Sequence, residues 1–375
     1  MGRMSSDPQP PPFAWRGVPG LPAWSVAVPM VAILALVAGW GRPLGLVLGV
    51  LLTATLLLAV LAAVHHAEVV AHRVGEPFGT LVLAVAVTVI EVSLIVSLML
   101  AGGESTSTLA RDTVFAAIMI VCNGVVGLCL VVGGLRHGVM VFRVEGTSPA
   151  LASIGALAGL ALVLPSYTTS TPGATYSGSQ LAFAGFTSLV LYGVFVFVQT
   201  VRHRDYFLPV GDGASAERHA APPARWVAWT SLGLLLVALI GVVGLAKSLA
   251  PAIEAGVASA GAPKAVAGVL IAMVVLLPET GAALRAAMGN RMQTSLNLAL
   301  GSGLASIGLT IPVVAALSPG FDFPLVLGLP PVQIVMLALT LIVGTLTLGS
   351  GRATVMQGAI HLVLFADFLF LAIVP

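Results

Sequence analysis

The chain has 375 residues, of which 58% are apolar and 8% charged, with a mean hydropathy of +1.08. Soluble domains carry about 25% charged residues, so this chain cannot cover a water-facing surface and is expected to lie in a bilayer. That excludes a cytosolic enzyme, a nucleic-acid-binding module and a disulfide scaffold, and a net charge of +2 indicates no anionic partner.

Residues 1–23 are polar and proline-rich and read as a cytoplasmic tail without signal-peptide features. Eleven apolar segments follow, each near the roughly 20 residues that a bilayer core requires. They are 24–40, 43–64, 78–101, 113–135, 149–166, 180–200, 226–248, 265–288, 293–317, 326–348 and 353–374. Cys122 and Cys129 stand about 10 Å apart along one helix and are expected to be small core residues.

Charge tests this count independently. Of the 16 Lys and Arg, only Arg42, Arg111, Lys247 and Lys264 fall in odd-numbered loops; the other 12 fall in the tail and the even-numbered loops. The positive-inside rule then places the N-terminus in the cytoplasm and the C-terminus outside. The longest charged linker, 201–225, is cytoplasmic on this reading. It separates a five-helix unit (41–200) from a second (226–375), with the helix at 24–40 left over. Five is odd, so two similar units would insert in opposite orientations, the inverted-repeat plan of secondary transporters. The predicted fold is therefore an all-α polytopic membrane protein of about 11 transmembrane helices.

Three of the 14 carboxylates fall inside spans: Glu91, Glu279 and Asp367. An acid at membrane depth is expensive unless paired, hydrated or protonated, and marks function by default. Glu91 is the 14th residue of the third span and Glu279 about the 15th of the eighth. These are the second helices of the two units and run antiparallel. Either acid alone would also fit a neutral, hydrogen-bonded structural group; a matched pair points to an ion site. The next helix of each unit carries small and polar residues at its centre, Cys122-Asn123-Gly124-Val125-Val126-Gly127 and Gly301-Ser302-Gly303-Leu304-Ala305-Ser306. Aligned on the glycines, Asn123 matches Ser302 and Gly127 matches Ser306. Such residues allow close helix approach, and Asn and Ser also supply neutral oxygen ligands. Pro278 removes one backbone hydrogen bond and frees the Val274 carbonyl beside Glu279. Two carboxylates with these neutral oxygens and water suit a hard divalent cation.

These residues bring a family resemblance into view. The stretches His72-Arg73-Val74-Gly75-Glu76-Pro77-Phe78-Gly79 and Ile90-Glu91-Val92-Ser93-Leu94-Ile95 resemble the first repeat of bacterial ChaA-type calcium/sodium/potassium–proton antiporters, of the cation/calcium exchanger superfamily. Leu277-Pro278-Glu279 and the run from Gln293 to Pro312 resemble the second repeat. Arg111-Asp112-Thr113, Tyr192-Gly193-Val194-Phe195, Ser350-Gly351-Arg352 and His361-Leu362 also fit, so the resemblance spans nearly the whole chain. It implies an inverted-repeat antiporter of the bacterial inner membrane with both repeat glutamates at the ion site. Two features depart from the pattern. The central linker carries Asp205, Asp212 and Glu217 beside four Arg, where some relatives are strongly acidic, and Asp367 has no counterpart.

The reading is a cation:proton antiporter, not an enzyme, that exports Ca2+ with Na+ or K+ as the alternative. Glu91 and Glu279 hold either the cation or protons, with Asn123, Ser302, Ser306 and the Val274 carbonyl as further ligands. Glu76 and His72 are candidates at the cytoplasmic mouth, near His65 and Glu68; His361 and Asp367 are candidates for a proton relay. No cofactor is expected beyond the transported ions, and membrane lipid is the expected surrounding. The sequence sets no oligomeric state. A channel would share the polar core but transport without protons, and an intramembrane enzyme would need a nucleophile that the sequence does not supply.

Overall fold

The computed structural model describes residues 20–42, 45–75, 78–208, 222–259, 261, 263 and 265–374. Among them are eleven helical segments of at least 17 residues: α1 (Ala23–Gly39), α2 (Leu46–Val74), α3 (Phe78–Gly102), α4 (Leu109–His137), α5 (Val144–Ser166), α6 (Gly178–Arg202), α7 (Arg225–Ser259), α8 (Ala265–Met288), α9 (Met292–Leu317), α10 (Pro331–Leu348) and α11 (Val355–Ile373). Ten of these are long and apolar enough to cross a membrane. The expected first span, α1, is apolar but only 17 residues long, about 25 Å, at the short limit for a bilayer core.

The helices run past the expected spans. α2 continues ten residues beyond 64, through His65, Glu68 and His72, and stops at Gly75, where φ is +75°. Hydropathy reads only the part of a helix that lies in hydrocarbon; no residue before Gly75 breaks the helix. α7 likewise continues through Pro251 to Ser259. Glu68, Asp112, Glu145 and Glu254 therefore fall on helices rather than in loops. α10 starts later than expected, at a Pro330-Pro331 pair, because residues 328–329 are extended and bond to Ala174 and Leu162.

Hydrogen bonds between helix ends define two ends of the bundle. At one, rich in Arg, Arg73 of α2 donates to Pro223 before α7, and His137 of α4 bonds to Met288 of α8. There too Gln293 of α9 accepts from the Arg143 amide, and Met140–Val141 pairs antiparallel with Arg352–Ala353. At the other end, Arg111 clamps Gly328, and Ser107 accepts from Val326. α4 is the most enclosed span, as expected of a helix apolar on every side. Cys122 and Cys129 on it are buried free thiols.

Helices distant in the chain pair with each other: α4 packs along α11, and α9 packs along α6. α6 and α11 both begin with a capping box, Ser177 with Gln180 and Thr354 with Gln357. α2 and α7 form the most extensive helix pair, and α1 packs against both. The α4–α11 contact depends on glycine: a Cβ at Gly358 would stand 2.7 Å from the Val131 amide nitrogen and 2.9 Å from the Gly127 carbonyl oxygen. Replacing Gly358 by Ala is expected to cost about 1–3 kcal/mol of overpacking. The same change at Gly193 of α6, where a Cβ meets nothing within 4 Å, should be neutral. Thermal unfolding of the two variants in detergent tests this, and equal midpoints would contradict the packing.

Candidate functional site

Glu91 and Glu279 line one cavity of about 200 Å³. Glu91 is carried by α3 and is 2% exposed. Its Oε2 accepts a 2.9 Å hydrogen bond from Ser306 Oγ on α9, while its buried Oε1 has no partner. Thr310, one turn further along α9, has a buried hydroxyl that makes no hydrogen bond. Glu279 is half-buried on α8, within the field of Glu91, and its Oε2 is also buried and unpartnered. Both unpartnered carboxyl oxygens are buried and belong to residues that line the same cavity. An ionised carboxyl group only accepts hydrogen bonds, and a protonated one also donates.

The cavity is open-sided because of residue size. Gly301, Ser302, Ala305 and Ser306 present small side chains to it, and Thr88 adds a hydroxyl on α3. It reaches the Arg-rich end, where Thr294 and Asn297 of α9 and Gln199 of α6 line it. Toward the other end, Leu94, Ile95 and Leu98 of α3 and Ile307 and Ile311 of α9 are all buried. There α9 also presses on α6: a Cβ on Gly308 would lie 2.9 Å from Tyr192 Cβ. The cavity lining thus extends from the acids toward the Arg-rich end.

The sequence missed Thr88, Gln199, Thr294 and Asn297. A signal existed on α9, where 294, 297/298, 301/302 and 305/306 recur at helical spacing and form one face.

Asn123 belongs to a separate hydrogen-bonded chain. It lies inside a π-helical turn, Ile120–Val125, within α4, is fully buried, and does not line the cavity. Its Nδ2 donates to Thr340 Oγ1 at 2.8 Å, and its Oδ1 faces His361 Nδ1 at 3.1 Å. His361 Nδ1 therefore carries the proton, and Nε2 accepts from Thr347 Oγ1 at 3.1 Å. Thr340 closes the chain on the Met336 carbonyl. α9 passes its equivalent stretch as regular α-helix. Equal residue position is therefore not equal direction, and both amide groups of Asn123 are taken.

The remaining candidates are scattered. His361 is buried, but no carboxylate joins its chain among the described residues, so a relay there has no proton acceptor in this conformation. Val274 packs against the apolar core and does not line the cavity. Asp367 is exposed on α11, and His72 is exposed in the last turn of α2. Glu76 lies outside the described residues.

Comparison with known proteins gives the family and the fold. The family described as "Sodium/calcium exchanger protein" matches residues 44–201 and 230–374, leaving out the central linker. Over 358 residues, 95% of this chain and 97% of the other, it is 51% identical to a Sinorhizobium fredii protein whose name describes an ionic transporter, y4hA. It is 35% identical to the sodium-potassium/proton antiporter ChaA of Escherichia coli K12, over 92% of this chain and 94% of that one. Among solved structures it resembles YfkE, titled a Ca2+/H+ antiporter protein, with a TM-score of 0.68 over 94% of this chain and 99% of that one. At 18% identity that likeness concerns the fold alone.

The hydrogen-bond chain and the cavity wall should respond differently to mutation. Asn123→Leu leaves the buried His361 Nδ1–H unpaired and takes a donor away from the Thr340 oxygen, which keeps its own bond to Met336, at a cost of about 1–3 kcal/mol. Ser302→Ala, on the cavity wall, is expected to stay within about 0.5 kcal/mol of the parent. Unfolding midpoints in detergent compare them; an unchanged midpoint for Asn123→Leu would remove its structural role.

Proposed function

Because the chain belongs to the sodium/calcium exchanger protein family, whose antiporters move cations across membranes, we propose that it exports Ca2+ from the cytoplasm in exchange for protons. The observation that carries the proposal is the meeting of Glu91 and Glu279, from α3 and α8, in one cavity with Ser302 and Ser306. Both carboxylates ionised present two negative charges to a divalent cation, in surroundings where Coulomb attraction far exceeds its value in water. Protonating both removes that attraction and makes an empty carrier tolerable in hydrocarbon. Cation and protons therefore compete for the same oxygens, and alternating access couples their movement in opposite directions. A second reading, Na+ or K+ exchanged for protons, is favoured by the likeness to ChaA, a sodium-potassium/proton antiporter.

The charge distribution supports placing the Arg-rich end in the cytoplasm of a bacterial cell, in its inner membrane, with the C-terminus outside. The cavity then faces inward. Residues 41–200 and 226–375 act as the inverted halves, with 1–23 as a tail, 24–40 as an added helix and 201–225 as the linker. Inorganic cations, protons and surrounding lipid are the partners of this cycle.

Proton movement in inside-out vesicles, followed with a pH-sensitive dye, tests the proposal while Ca2+, Na+ and K+ are added separately. Dequenching on Ca2+ is expected, with at least a tenfold loss in Glu91→Gln and in Glu279→Gln. Dequenching on Na+ or K+ alone would favour the second reading, and normal coupling in Glu279→Gln would end the shared-site mechanism. Ser302→Ala should shift the ratio of rates between cations while keeping coupling intact. Access is tested separately: Thr294→Cys should react with a membrane-impermeant thiol reagent from the cytoplasmic face and not from the opposite face.

A further inference from the structure

A second recess lies on the outside of the bundle, between the Arg-rich ends of α2 and α7. Its volume is about 430 Å³, and it is lined by Arg73, Arg225 and Trp229 together with Val70, Val74 and Leu232. Arg73 spends one donor on the Pro223 carbonyl. Arg225 meets no acidic side chain among the described residues. Glu68 on α2 lies five residues before Arg73, which turns it about 140° around the helix, and it stands in the field of Arg285 on α8. α7 begins at Arg225 with no acid in its first turn, so the positive end of its dipole adds to the guanidinium charges. Trp226 and Trp229 are 47% and 72% exposed here, and Trp24, at the start of α1, is 46% exposed. Tryptophan at this density marks the boundary between headgroups and hydrocarbon.

The other end of the same helix pair gives a contrast. A recess of about 570 Å³ lies there between α2 and α7, lined by Gly45, Gly49, Thr53, Leu57, Leu249 and others, with no charged residue. Two uncharged acyl chains would suit it, and nothing in it selects a headgroup.

We propose that the recess of Arg73, Arg225 and Trp229 is a binding site for a membrane phospholipid with an anionic head group. The two guanidinium groups hold the phosphate, Trp229 covers the glycerol region, and Val70, Val74 and Leu232 meet the first carbons of the acyl chains. A free phosphate would leave those apolar walls uncovered, so the lipid is the occupant that fits all of the lining. The lipid ties α2 to α7 at the surface. The site rests on the function proposed above only for the leaflet that supplies the lipid, the cytoplasmic one.

The test reads lipid retention, not transport, so its failure is separable from failure of the antiporter reading. The purified full chain in mild detergent is given equal amounts of phosphatidylglycerol and phosphatidylcholine, and bound lipid is counted by native mass spectrometry. Retention of phosphatidylglycerol over phosphatidylcholine is expected. Each basic residue near an anionic surface contributes a factor of about five, so Arg225→Gln should retain roughly fivefold less and Arg73→Gln/Arg225→Gln roughly thirtyfold less. Arg225→Lys should keep most of the preference. In the unmodified protein, raising salt from about 0.1 M to about 1 M should release the lipid, because the screening length falls from about 10 Å to about 3 Å. Equal retention of the two lipids, or no response to salt and to Arg225→Gln, would overturn the site.

Discussion

A carboxyl group in the middle of a bilayer has neither bulk water nor an easy place to put its charge, and an ionised side chain at that depth costs roughly 3 kcal/mol or more. Glu91 receives one hydroxyl, from Ser306, and nothing at its other oxygen. The rest of the arrangement answers that deficit. α9 carries glycine, serine and alanine beside the acids, so room for a cavity is left there. Elsewhere the bundle is sealed by the opposite device, helices pressed together through Gly308 and Gly358. Small residues thus serve both purposes: where the facing helix stands away they leave a passage, and where it comes close they let backbones touch.

The two ends of the bundle differ in how they are tied. At the Arg-rich end, side-chain amides do much of the work: Gln293 and Asn297 of α9 link the Arg143 amide to the Phe207 carbonyl, joining α5 to the segment after α6. At the other end, the extended residues before α10 are held by backbone bonds and by Arg111, whose charge is balanced at 2.8 Å by Asp112. The Arg111-Asp112-Thr113 and Gln293 motifs that carried the family resemblance therefore sit at joints between helices.

Much of this could be read from the chain. The two acids were legible because hydropathy locates spans and a carboxylate inside one is conspicuous. Ser302 and Ser306 followed from their place on the next helix. The paired caps at Ser177 and Thr354 are a trace of the repeat that a search for Ser or Thr three residues before Gln would have found. The full length of α2 was not legible, because a polarity scan ends at His65 while the backbone continues to Gly75. Neither was the destination of Asn123. Its partners Thr340 and His361 lie 217 and 238 residues away, and nothing local distinguishes a wide turn from a regular one.

That wide turn has a consequence for how the gene can vary. A π-turn is an α-helix holding one surplus residue, and each residue rotates the chain that follows by about 100°. Downstream of Ile120–Val125 lie Gly127 and Gly134, the positions that admit α11. A one-codon deletion within the turn would remove the surplus residue and let the stretch close into regular α-helix with both glycines still facing α11, whereas the same deletion between Val126 and Gly134 would swing Gly134 away from α11. In this helix the wide turn can give up a residue and keep the register of packing, while the regular stretch after it cannot, although hydropathy does not distinguish the two.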